Sequence, residues 1–215
     1  MNEFLNADFI FQLLLSTIRM ATPILIVALA ELYSERAGLV NIGLDGIMSF
    51  GALIGFIVGL QTQSPWLGIL AGALGGVFVN MVYAFCTITL CAEQIVYGMA
   101  INIFAPALAS FIYKLSFANS STLIQGVTME VMPIPVLSEI PLIGELFFNH
   151  TPVVYLVYLL TPVTAFFLNK TKAGLNFKAV GEFPRAAESL GIHVVRQKYL
   201  ASIICGALAG IGGAY

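Results

Sequence analysis

Charge is what this chain has least of. Only 9% of its residues are Asp, Glu, Lys or Arg while 59% are apolar, whereas soluble domains carry about 25% charged residues. Such a chain has too little polar surface to face water on all sides, and its mean hydropathy of +0.95 makes it an integral membrane protein. The net charge of −2 gives no sign of a nucleic-acid partner. Cysteine is scarce: Cys86, Cys91 and Cys205 lie in apolar runs with no CxxC pair and no Cys/His cluster, so they read as small apolar residues and no metal site is implied. The two histidines, His150 and His193, fall outside the apolar runs, and neither GxSxG nor HExxH is present, which argues against an intramembrane hydrolase. No GxxxxGK[ST] loop occurs, nor any Gly-Lys pair; nucleotide phosphates have no cradle here. A basic leader with a cleavage site is also missing from the N-terminus, so the first apolar stretch reads as a retained span.

What is present is a series of apolar runs, each near the roughly 20 residues that a helix needs to cross a bilayer. They cover residues 9–32, with Arg19 and Pro23 inside; 39–60 or only 47–60; 66–90; 95–113; 153–168; and 200–215. Ser64-Pro65 and Thr151-Pro152 supply a cap residue followed by proline at the first helical position. The fold class that follows is all-α, a polytopic helical bundle of about six spans with a broken or irregular helix near 39–60. The chain reads as one transmembrane domain over 1–215.

Orientation follows from the basic residues beside the spans. Six of the nine basic residues lie in 170–198 with two acidic ones, a sum of +4, which puts this segment in the cytoplasm. Residues 114–150 hold one Lys against Glu130, Glu139 and Glu145, a sum of −2, and belong outside. Counting back through the spans places 33–39 inside, 61–64 outside and the N-terminus outside. Arg19 then has to sit within a span or pair there.

Glycines recur every fourth residue at Gly51, Gly55 and Gly59, at Gly68, Gly72 and Gly76, and at Gly206 and Gly210. Such ridges let helix backbones approach closely in lipid, and packing within one subunit is favoured over a dedicated dimer face. Intramembrane polar groups are functional candidates. Asn41 and Asp45, four apart and flanked by Gly43 and Gly46, suit either an irregular helix lining a pathway or a cap formed by Asp45 on a helix starting at Gly46. Glu93-Gln94, at a tight inside turn, reads as a capping pair. Asn102 near Pro106 serves either a pathway or a helix-to-helix hydrogen bond.

Two loops stand out. The external segment 114–151 is Pro-rich, with Pro133, Pro135 and Pro141 forbidding a continuous helix; it reads as a short extended piece and a short amphipathic helix, serving as a lid, a docking surface or plain interfacial packing. The basic segment 170–199 is a polar island in which Pro184 suits a first helical turn and Gly191 a left-handed end. About two turns fit between them, too short to be stable in water alone. A solvated loop explains the basic residues but not these start and stop signals, nor Phe177, Val180, Phe183 and Leu190. A helix held in another protein's groove explains both.

The stretch 179–192, AVGEFPRAAESLGI, resembles the cytoplasmic coupling segment of permease subunits in ATP-binding-cassette importers, in the branch that handles branched-chain amino acids, simple sugars and nucleosides. The stretch 35–48, ERAGLVNIGLDGIM, resembles the signature of the nucleoside and simple-sugar members, and 133–144 resembles their external Pro-rich loop. The likeness is colinear over nearly the whole chain, with two departures: the family usually has Asn where Phe183 stands and often Glu where Asp45 stands. Family permeases are longer, so the resemblance implies an N-terminal portion, cut at Tyr215 within an apolar run.

The resemblance implies a multi-pass permease subunit of a bacterial or archaeal plasma membrane, moving a nucleoside or simple sugar without being an enzyme itself. ATP and Mg²⁺ would be bound by a separate ATP-binding subunit. A second permease subunit, an external substrate-binding lipoprotein and membrane lipid complete the expected partners. Coupling to the ATPase would fall on Glu182, Pro184, Arg185, Ala186, Ala187, Glu188 and Gly191, with Arg185 and Glu188 as anchors and the two alanines permitting close approach. Asn41, Asp45 and Asn102 are the candidates for the translocation path. An ion-gradient transporter is the competing class; it needs ionisable groups at mid-membrane, where the sequence offers only Asp45, near an edge. A branched-chain amino acid permease is the alternative within the family.

Overall fold

Burial in lipid leaves a backbone no choice but to satisfy its own hydrogen bonds, and the apolar runs accordingly become helices. A computed structural model describes residues 7–118, 125–133 and 143–215. In chain order these form α1 (Ala7–Arg36), α2 (Leu44–Thr62), α3 (Pro65–Ala84), α4 (Gln94–Phe117), α5 (Ile143–Phe148), α6 (Pro152–Lys170), α7 (Lys172–Glu182), α8 (Pro184–Ser189) and α9 (Val194–Ala214). Six are long and apolar enough to cross a membrane: α1, α2, α3 with a π-helical turn at Phe85–Thr89, α4, α6 and α9. The protein is a multi-pass membrane bundle, as the hydropathy implies.

The centre of the bundle is made by α2, α3 and α9, and their glycine ridges face one another. A β-carbon on Gly51 would stand 2.7 Å from Gly210 Cα, and one on Gly76 would press on the Gly206 carbonyl. The ridges therefore serve packing within the subunit. Without a hydrophobic driving force between helices in lipid, such close backbone approach is what holds them together. α1 covers the other side of α9 through Ile26, Ala30, Cys205 and Ala209, all fully buried. α6 joins α1, where the Tyr33 hydroxyl donates to Thr164 Oγ1 at 3.1 Å.

Several local expectations are revised. The irregular part of 39–60 lies ahead of the span: 37–43 is a folded turn, and α2 is regular from Leu44. Ser64 and Thr151 occupy the cap positions of α3 and α6 but make no side-chain cap bond. Outside the spans, two-residue strands β1 (Met132–Pro133) and β2 (Asn149–His150) pair antiparallel, and α5 precedes β2. The extended piece and short helix expected of the Pro-rich loop are thus present; residues 134–142, with Pro135, Glu139 and Pro141, lie outside the described residues.

Candidate functional site

The basic island folds as two helices. α7 was not foreseen. Its N-terminus is capped by Thr171, whose Oγ1 accepts from Gly174 N at 3.1 Å, the bond that Ser and Thr caps favour. Gly174, Phe177 and Val180 recur at helical spacing and are buried. The Phe177 ring lies 6.0 Å from that of Phe167, which lies 5.8 Å from Tyr33. An aromatic row so fixes α7 to α6 and α1.

α8 begins at Pro184 as predicted. It ends in a Schellman motif: Ile192 N donates to Ala187 O at 3.0 Å, Gly191 N donates to Glu188 O at 2.9 Å, and Gly191 has φ +81°. That conformation favours glycine. Ala187 is 2% exposed and faces inward, so its small side chain seats the helix against the bundle. Glu182, Pro184, Arg185, Ala186 and Glu188 are exposed, as is Gly191. Phe183 is 70% and Leu190 80% exposed. The four apolar residues of the island hence divide: Phe177 and Val180 anchor it, while Phe183 and Leu190 flank α8 on the outside.

The proposed pathway residues lie where α1 turns into α2, and two of them are occupied by the fold. Asn41 is 2% exposed; its Oδ1 accepts from Gly43 N at 2.9 Å and its Nδ2 donates to Asn80 Oδ1 at 2.8 Å. Asn80 Nδ2 in turn donates to Ser202 O at 2.6 Å, linking the 37–43 turn, α3 and α9. Asn102 Oδ1 accepts from Gly46 N and its Nδ2 donates to Ile42 O, each at 2.7 Å. It therefore caps α2 from α4, and the helix-to-helix reading of Asn102 is the one the geometry favours. Asp45 is exposed in the first turn of α2, where the helix dipole favours an acid, and makes no cap bond. Asn41 and Asp45 do not share a helical face, because residue 41 precedes the helix.

Gln94 caps something other than its own helix. Its Oε1 accepts from Val40 N at 2.7 Å and its Nε2 faces Gly38 O at 3.5 Å, so it grips the 37–43 turn from the start of α4. Tyr83 adds a bond to Val40 O at 2.7 Å, and Glu31 Oε1 accepts from Asn41 N at 3.1 Å. Sequence reasoning missed Glu31, Asn80 and Tyr83. The signal for Asn80 was its amide in the otherwise apolar run 66–90. Toward the other end of the spans, a cleft of about 1290 Å³ is lined by Arg19, Ser49, Phe56, Ser110, Tyr113 and Lys114 among others. None of Asn41, Asp45 and Asn102 lines it. Arg19 lies within its span, exposed to this cleft.

Comparison with known proteins settles the family. Residues 13–215 match the model of the branched-chain amino acid transport system / permease component family. The chain belongs to that family. This permease-family chain is 36% identical over 201 residues to a nucleoside ABC transporter permease protein of Lactococcus lactis, covering 90% of this chain and 63% of that one. It is 39% identical over 210 residues to a putative glucose ABC transporter permease protein of Haloferax volcanii, covering 97% and 63%. It is 35% identical over 207 residues to a guanosine ABC transporter permease protein of Bacillus subtilis, covering 92% and 64%. The permease-family chain thus spans just under two thirds of the length of these relatives. No solved structure matches it.

Proposed function

We propose that this chain is the permease subunit, or part of one, of an ATP-driven importer for a nucleoside or simple sugar. The observation that carries the reading is α8. A six-residue helix, closed at both ends and seated by Ala187, stands on the bundle with Arg185, Ala186 and Glu188 exposed between two exposed apolar residues, Phe183 and Leu190. A surface of this shape fits a groove that accepts a short amphipathic helix. With no phosphate-binding loop in the chain, ATP and Mg²⁺ are held by the ATPase partner, and α8 is the element through which closure of that ATPase moves the spans.

In this reading 170–199 is cytoplasmic, 114–151 external and the N-terminus outside, in a plasma membrane. The +4 and −2 charge sums of the two loops support it. The partners are a second permease subunit, equal or related, and an external binding lipoprotein that delivers substrate. The names of the Lactococcus and Bacillus relatives favour a nucleoside, and that of the Haloferax relative a sugar. The test is cross-linking. A cysteine at Ala186, in a background with Cys86 and Cys91 replaced by serine, is expected to form a disulfide with cysteines lining the groove of the co-expressed ATPase. Failure at every groove position, with complex assembly intact, would sink the docking assignment.

A further inference from the structure

If α8 is pushed by a partner, the push has to reach the spans through atoms in contact. α8 is continuous with α7 through Phe183, and α7 meets the 37–43 turn at a pair of glycines. A β-carbon on Gly181 would stand 2.5 Å from Arg36 O and 3.0 Å from Gly38 N; one on Gly38, where φ is +77°, would stand 3.1 Å from Gly181 Cα. The two backbones touch directly, with no side chain between them to absorb a displacement by changing rotamer. Close-packed contacts of this kind transmit strain.

The turn is fastened on its far side to the spans. Gln94, at the first position of α4, bonds the turn at Val40 N and reaches Gly38 O. Tyr83 of α3 holds Val40 O. Asn102 of α4 holds Ile42 O and Gly46 N, on either side of the start of α2. Gly43 and Gly98 complete the contact, since a β-carbon on Gly98 would stand 3.1 Å from Gly43 N. Every one of these bonds ends on a backbone atom of the turn or of the α2 N-terminus, so the turn moves as one body or loses several bonds together.

We infer that the 37–43 turn is a rigid relay between the coupling helices and the ends of α2 and α4, with Gly181 and Gln94 as positioning residues for transport. The inference rests on the reading of α8 as the ATPase-docking element. Gly181 brings α7 into backbone contact with the turn, and Gln94 converts movement of the turn into movement of α4. Neither residue belongs to the exposed surface of α8 on which the docking reading rests.

The test uses the whole importer, full permease with its ATPase and binding protein, in proteoliposomes. Gln94→Met keeps the side chain's length and apolar stem while removing both polar contacts. It is expected to leave ATPase co-purification and basal ATP hydrolysis unchanged while lowering uptake per ATP hydrolysed by about two- to thirtyfold, the span that residues along a coupling route control. Gln94→Glu, which keeps the acceptor for Val40 N, is expected to restore part of that ratio. Gly181→Ala, prying α7 from the turn, is expected to act as Gln94→Met does. Uptake per ATP at the wild-type value in folded Gln94→Met overturns the relay and leaves α8 docking untouched. A parallel loss of assembly, hydrolysis and uptake overturns it too, by assigning Gln94 to folding alone. A wild-type permease that does not associate with the ATPase removes the docking reading itself.

Discussion

Replacing Asn80 by alanine removes a side chain that ties α3 to both the 37–43 turn and α9. Asn80 is 1% exposed; it accepts from Asn41 Nδ2 at 2.8 Å and donates to Ser202 O at 2.6 Å. The Ser202 carbonyl lies within α9 and keeps its intrahelical amide. Asn41 Nδ2 does not fare so well, for it loses its partner in a buried site. A stranded buried donor costs about 1–3 kcal/mol, which sets the scale for Asn80→Ala. In the double variant Asn41→Ala/Asn80→Ala the Asn41 amide is no longer there to be stranded, while the loss of the Gly43 N bond is common to both Asn41 variants and cancels in the cycle, so the double cost should be less than the sum of the singles. Interhelical hydrogen bonds in membrane proteins show couplings averaging about 0.6 kcal/mol and reaching about 1.7, and the buried pair here belongs toward the upper end. The assay is a double-mutant cycle on purified protein in detergent, read by reversible chemical unfolding. Strictly additive costs would refute the claim that Asn41 and Asn80 act as a bonded pair.

Two further perturbations separate surface from core. Gly76→Ala places a methyl group against the Gly206 carbonyl, with Gly210 Cα 2.7 Å away, and should cost about 1–3 kcal/mol as overpacking; Gly59→Ala, whose β-carbon would stand 3.8 Å from Gly68 Cα, should be close to neutral, and thermal unfolding in detergent compares them. Phe183→Ser and Leu190→Ser alter residues that are 70% and 80% exposed, so stability should change by no more than about 0.5 kcal/mol while ATPase co-purification falls. Phe177→Ser, at 2% exposure, should instead destabilise by about 3–5 kcal/mol, the scale of losing a buried Phe.

The parts of this structure that depend on local chemistry were readable from the chain. Span positions follow from run length, and the bounds of α8 follow from Pro184 and Gly191. The glycine ridges point at their true partners because four-residue spacing marks one helix face. α7 escaped notice because its charged residues and two glycines suggest a solvated loop; yet Gly174, Phe177 and Val180 already carried the helical period. The partners of Gln94 and Asn102 were beyond reach for another reason. Val40 and Ile42 lie 54 and 60 residues away in sequence, and no local signal tells a glutamine which backbone it will grip. The π-helical turn at Phe85–Thr89 has no such signature in its five residues, FCTIT.

The same distinction governs the candidate site. The residues proposed for docking sit together on one short continuous segment; those that fasten the segment and the turn behind it come from α1, α3, α4 and α6 and emerge only in three dimensions. Ala187 shows the limit within the segment itself. Beside an equally small Ala186, it faces the opposite way, since neighbours on a helix stand on different sides.

The central claim is that α8 receives force from an ATPase, and the double variant Arg185→Ala/Glu188→Ala tests it most directly. Both side chains are exposed, with no hydrogen bond or ion pair among the described residues, so folding and membrane insertion should be preserved. Substrate-stimulated ATP hydrolysis by the assembled importer should fall sharply. Stimulation equal to wild type, in a variant that inserts and assembles normally, would contradict the account.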